Sequence, residues 1–84
     1  AGSEQEFGEK IFSVLAGKPL PAHKRVNFAR LLEYCKGFRG KREIIQLLDE
    51  AQLYPQSVME QIRLLSDTQV MKFVISLHRI ENED

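Results

Sequence analysis

The chain has 84 residues, a formal net charge of zero, 43% hydrophobic and 29% charged residues, and one cysteine. That length allows one domain with a small core, because so short a chain buries only about 60% of the surface it exposes when unfolded. The composition excludes general disorder, no apolar run reaches the roughly 18–20 residues that span a membrane, and no signal-peptide pattern opens the chain. A lone Cys35 cannot form an internal bridge, which argues against a small secreted domain and for an intracellular setting.

Residues 1–3, Ala1-Gly2-Ser3, read as a cloning remnant, and a chain without an opening Met reads as part of a longer protein. Ser3 and Glu6 have capping-box spacing, and Phe7, Ile11, Val14 and Leu15 follow at helical intervals. Gly17 suits a left-handed stop, and Pro19-Leu20-Pro21 makes a stiff connection. Pro21 then fits the first turn of a second helix. Phe28, Leu31, Leu32 and Cys35 form its buried face, and Gly37 ends it. A third helix is expected from about Lys41 to Leu53, with Ile44, Leu47, Leu48 and Ala51 inward. Tyr54-Pro55 stops it. Ser57 and Glu60 open a fourth helix carrying Val58, Ile62 and Leu65. Ser66 and Gln69 offer a weaker box for a fifth, running to about Ile80, and the tail 81–84 is expected to fray. Nothing reads as a strand. The expected fold is all-α, a compact bundle of about five short helices in a single domain over 1–84.

The fifth helix is too apolar for one face. Val70, Phe73, Val74, Leu77 and Ile80 make one stripe, and Met71, Ile75 and His78 a second beside it. Together they cover an arc of about 220°, where one-sided packing needs little more than about 100°. Either this helix is central and buried on two sides, or the second stripe lines a groove for a partner's amphipathic helix, a role that suits Met. Other residues lie off their main stripes and could form further walls: Phe12 on the first helix, Val26 and Ala29 beside Arg25, Arg30 and Glu33 on the second, and Met59 on the fourth.

Charge is unevenly spread. Residues 18–42 hold eight basic side chains and one acid, while residues 43–84 hold three basic and eight acidic ones. Such polarity steers charged partners. Lys36, Arg39, Lys41 and Arg42 crowd one glycine-containing loop and could contact an anion or nucleic acid. No aromatic–basic alternation accompanies them, so nucleic acid ranks second to protein.

No catalytic pattern is found. His23 and His78 stand apart from any nucleophile pattern, Cys35 lies on a buried stripe, two His and one Cys lack zinc spacing, and no phosphate loop is present. No enzymatic activity, metal or cofactor is expected.

The runs Ile11-Phe12-Ser13-Val14-Leu15, Phe28-Ala29-Arg30-Leu31-Leu32 and Cys35-Lys36-Gly37 resemble the first two helices of harmonin-homology domains. Cys35 stands where Tyr is common in that family, with Tyr34 beside it. The spacing of Ile44, Leu48 and Tyr54-Pro55 is similar to the family's third helix and its exit, and Leu65 followed by Phe73 to its last helix pair. The resemblance spans about Phe7 to Leu77. It implies a five-helix module of the kind found in scaffold proteins and a telomere-associated helicase, which binds short amphipathic helices in a hydrophobic groove. Ala29 is the contact it carries over.

The leading expectation is therefore a non-catalytic interaction module, an adaptor-like domain that docks an amphipathic peptide helix. Met71, Ile75 and His78 would form one wall; Val26, Ala29 and Met59 would form another, with Arg30 beside it. The alternatives are a nucleic-acid accessory domain using segment 36–42, and a homodimer formed through the second apolar stripe.

Overall fold

A computed structural model describes residues 2–76 and corrects the expected all-α fold. Three α-helices and a two-stranded parallel sheet make up the regular structure of the described residues, joined by one short 3-10 turn. Helix α1 spans Ser3–Ala16 and α2 Phe28–Lys36. Strand β1 covers Ile44–Asp49, a 3-10 turn Ala51–Leu53, helix α3 Gln56–Ser66 and strand β2 Met71–Ser76. The last four form a βαβ unit. The span from Ile44 to Ser76 is about the 30 residues such a unit requires.

The first helix follows its sequence pattern. Phe7, Ile11 and Leu15 are buried, and Gly17 takes φ 75°, donating its N–H to Ser13 O. The helix is not closed by a capping box, however: Gly2 is the N-cap, with no side-chain bond. The second helix starts seven residues later than Pro21, at Phe28, where the Asn27 side chain accepts from Arg30 N at 3.0 Å. Asn is a strong N-cap, and Pro19 and Pro21 disfavour helix at the residues before them, Lys18 and Leu20.

The expected third and fifth helices are strands where they are described. Ile44↔Met71, Gln46↔Phe73 and Leu48↔Ile75 pair in register. These six share the face turned toward the helices, on which Leu48 and Met71 are fully buried. The other face carries Ile45, Leu47 and Val74, which are 72%, 56% and 50% exposed. Both strands therefore have apolar residues on two faces, the near-continuous apolar pattern of parallel strands. Val70, Ile44, Ile45, Val74 and Ile75 are β-branched and favour this extended state over helix. The expected helical stretch 77–80 lies outside the described residues. No described helix is long and apolar enough to cross a membrane.

One core joins all the elements: Phe7, Ile11 and Leu15 from α1, Leu31 and Cys35 from α2, Leu48 from β1, Val58, Ile62 and Leu65 from α3, and Met71 from β2. Burying each large side chain is worth about 1.5–3 kcal/mol. Thr68, 5% exposed, is the polar residue set among them. Its hydroxyl donates to Leu65 O at 2.6 Å and accepts from Val70 N at 3.2 Å. The Cys35 Sγ lies 3.4 Å from the same oxygen. A hydroxyl has one proton, here given to Leu65 O, so the Cys35 thiol is the donor in that contact.

Thr68→Val removes all three bonds without changing side-chain volume much. It should lower unfolding free energy by about 1–3 kcal/mol in urea titration, since it strands the buried Val70 N–H. Thr68→Ser should recover most of the loss. Equal stability of Thr68→Val and the parent chain contradicts this account.

Candidate functional site

Three of the depressions on the surface of the described residues hold residues singled out from the sequence. The first depression is a groove of about 510 Å³ between α1, α2 and the segment joining them. Phe12 enters from α1, Leu31 and Tyr34 from α2, and Leu20 and Val26 from the connection. The two prolines flanking Leu20 favour extended backbone at residues 18–20, and a turn closed by Lys24 N–H donating to Pro21 O at 3.0 Å follows. Val26 anchors it: a Cβ on Gly8 would stand 2.9 Å from Val26 Cγ1, so the close approach requires glycine in α1. Lys24, Arg25 and Arg30 also line the groove, together with Asn27, and no carboxylate does. None of the three cations makes an ion pair among the described residues.

The groove's aromatic wall is held from behind. Phe12 and Tyr34 stack with centroids 6.1 Å apart, and Tyr34 meets Phe38 edge-on at 5.3 Å. Arg42 lies 4.9 Å from the Phe38 centroid and donates through Nη1 to Leu15 O at 2.9 Å. It thus satisfies a free carbonyl at the end of α1 while covering one face of Phe38.

A second depression, about 740 Å³, brings together Arg39, Lys41, Arg42 and Glu43 from the segment before β1, Ser66 at the end of α3, Gln69 from the turn after it, and Met71 and Lys72 from β2. The third, about 430 Å³, lies between α3 and β2 and contains Met59, Phe73 and Ile75. Its rim charges are matched internally: Arg63 is 3.0 Å from Glu60 and 3.7 Å from Asp67. The hydrogen bond from Arg63, a second from Gln56 and the Arg63 charge together hold the Glu60 carboxyl below its usual range. The same pairing raises Arg63.

The expected partner-binding residues therefore do not form one surface. Val26 and Arg30 line the first groove; Met59 and Ile75 meet in the third. Ala29 is exposed on the first turn of α2 and lines none of the three. Met71 is fully buried on the inner sheet face and belongs to the lining of the second depression, so it shares no wall with Val26, Met59 or Ile75. His78 lies outside the described residues. Of the basic residues singled out, Arg39, Lys41 and Arg42 converge, whereas Lys36 pairs with Glu33 at 3.2 Å. Leu20, Tyr34, Lys24 and Lys72 were not anticipated as contacts. The off-stripe positions of Phe12, Val26 and Arg30 are the sequence signals for this first groove. Cys35 is 0% exposed, and no group of three or more His, Cys, Asp or Glu residues suited to a metal occurs among the described residues.

No family model, curated protein or solved structure matches the chain.

Arg42→Ala should lower unfolding free energy by about 1–2 kcal/mol, through loss of the bond to Leu15 O and of the ring contact. The near-ultraviolet circular dichroism of the aromatic wall should change with it. An unaltered urea midpoint and spectrum contradict the bracing role.

Proposed function

We propose that the chain is a non-catalytic protein-interaction module, and that the groove between α1 and α2 holds the apolar face of a partner's short amphipathic helix bearing acidic flanks. The observation that carries this reading is the groove's composition: an apolar floor of Phe12, Leu20 and Tyr34 with three cations and no carboxylate. Aromatic and Arg side chains dominate binding energy at protein interfaces. Cations around an apolar floor also select ligands with acids beside their apolar residues. The groove's volume lies within the ~300–1,000 Å³ that accommodates compact ligand groups.

The resemblance of Phe28–Leu32 to harmonin-homology domains supports the same reading, because that segment contributes to the ligand groove of the family. Here Arg30 and Leu31 are the residues of the segment that reach the groove, and the surrounding fold has a sheet where the family has helices. Two observations count against the nucleic-acid alternative. Phe38, the aromatic nearest the basic turn, is covered by Arg42 and Tyr34 and so offers no stacking platform. Lys36 is engaged by Glu33.

The test uses designed peptides with Leu or Phe at helical i, i+3, i+4 and i+7 spacing, flanked by either Asp/Glu or Lys. Fluorescence anisotropy should show saturable binding of the acidic-flanked peptide, weakened by salt, and none of the Lys-flanked one. Arg30→Glu and Tyr34→Ala should each reduce affinity about tenfold or more with far-ultraviolet circular dichroism unchanged. Ile75→Asp, in the third depression, should leave binding unchanged. Parent-like binding by Arg30→Glu refutes the assignment to this groove.

A further inference from the structure

We infer that the basic depression before β1 is a second, independent binding site, and that it takes a compact ligand bearing two or more phosphate groups. Four cations line it, Arg39, Lys41, Arg42 and Lys72, against one carboxylate, Glu43. They come from two separate stretches of chain, the turn before β1 and the start of β2. Pairing Ile44 with Met71 and Ile45 with Lys72 brings those stretches together. Arg39, Lys41 and Lys72 make no ion pair among the described residues. Like charges gathered in one concavity repel one another, and an anion in their midst turns that repulsion into attraction.

Two further features define the ligand. Arg42 is already oriented by Leu15 O and the Phe38 ring, so its guanidinium loses little freedom on meeting a phosphate. The Ser66 hydroxyl and the Gln69 amide add uncharged donors to the lining. The cations suit phosphate oxygens, Arg as a planar fork and Lys as a point charge. No aromatic ring lines the depression, so nothing there would stack on a nucleobase. The four cations line one concavity. The ligand this combination fits is a polyphosphate ester on a small polar scaffold. It could be free in solution or be the headgroup of a phosphorylated lipid.

The experiment titrates the isotope-labelled chain with inorganic tripolyphosphate at physiological ionic strength and follows amide chemical shifts. Saturable shifts should centre on Gly40, Lys41, Ser66, Gln69 and Lys72. The double variant Arg39→Glu with Lys72→Glu should lower affinity about tenfold or more. Lys24→Glu with Arg25→Glu, which changes net charge equally but lies in the other groove, should change it about twofold at most. Equal losses in the two double variants overturn the site in favour of diffuse charge attraction, as does a titration without saturation. Tighter binding of a single-stranded oligonucleotide through the same residues overturns the ligand class. Soluble inositol trisphosphate and vesicles carrying phosphatidylinositol bisphosphate then separate the sources: vesicle co-sedimentation abolished by the Arg39/Lys72 variant assigns a lipid headgroup, and binding of the soluble ligand alone assigns a free one.

Discussion

The Thr68 hydroxyl is the junction on which the arrangement of the βαβ unit depends. Its one proton goes to Leu65 O at the end of α3, and its lone pairs receive Val70 N–H and the Cys35 thiol of α2. Between Thr68 and Val70, Gln69 adopts φ 66°, a left-handed conformation that costs a non-glycine residue about 1–2 kcal/mol. The hydroxyl spans that reversal and offsets its cost. Val70 O then accepts from Ile44 N at 2.7 Å, a bond leading directly into the sheet. A chain of bonds thus runs from α2 through Thr68 and Val70 to β1. It sets where β2 starts, hence the register that places Lys72 beside Ile45 and Met71 in the core.

This junction explains why two helices expected from periodicity are strands. In the segment from β1 into the 3-10 turn, Ile44, Leu47, Leu48 and Ala51 fit a helical stripe, but Ile44 and Leu48 fit one face of a strand equally well, and short apolar runs do not distinguish the two. Leu47, which the helical reading turns inward, is more than half exposed. In β2 the signal was present and admitted another cause. An apolar arc too wide for a surface helix is also what a parallel strand produces, with Met71 and Phe73 on the inner face and Val74 on the outer one. Helix α1 was legible because its buried residues repeat at one period only and end at a glycine that takes positive φ.

The sites were legible in their charge and less so in their geometry. Arg39, Lys41 and Arg42 are adjacent in sequence and needed no fold to be grouped. Lys72 joins them only through the register of a sheet not foreseen. Val26 and Arg30 were recognised by their offset from the buried face of α2, though Val26 precedes the helix and owes its position to contact with Gly8. Tyr34 was hidden because it lies beside Cys35, whose own burial drew the helical pattern. Its role comes from stacking with Phe12 across the helix pair, a contact between residues 22 positions apart.

Zero net charge conceals how the surface is divided. Of the eight bases in residues 18–42, Lys24, Arg25 and Arg30 border the apolar groove, while Arg39, Lys41 and Arg42 line the basic depression. Lys36 is matched within its own helix by Glu33. Glu60 and Asp67, two of the acids of the second half, are engaged by Arg63 on α3 and not by the basic segment. No described ion pair therefore joins the basic segment to the acidic half. With screening over about 8 Å at physiological ionic strength, opposite charges farther apart than that do not cancel for an approaching ligand. A partner meets a local field set by whichever depression it faces. Arg42 touches both: it lines the basic depression and, through Phe38 and Tyr34, braces the wall of the apolar groove. Its guanidinium must keep the bond to Leu15 O for that wall to stand, so an anion in the basic depression reaches only the Arg42 nitrogens that bond does not use.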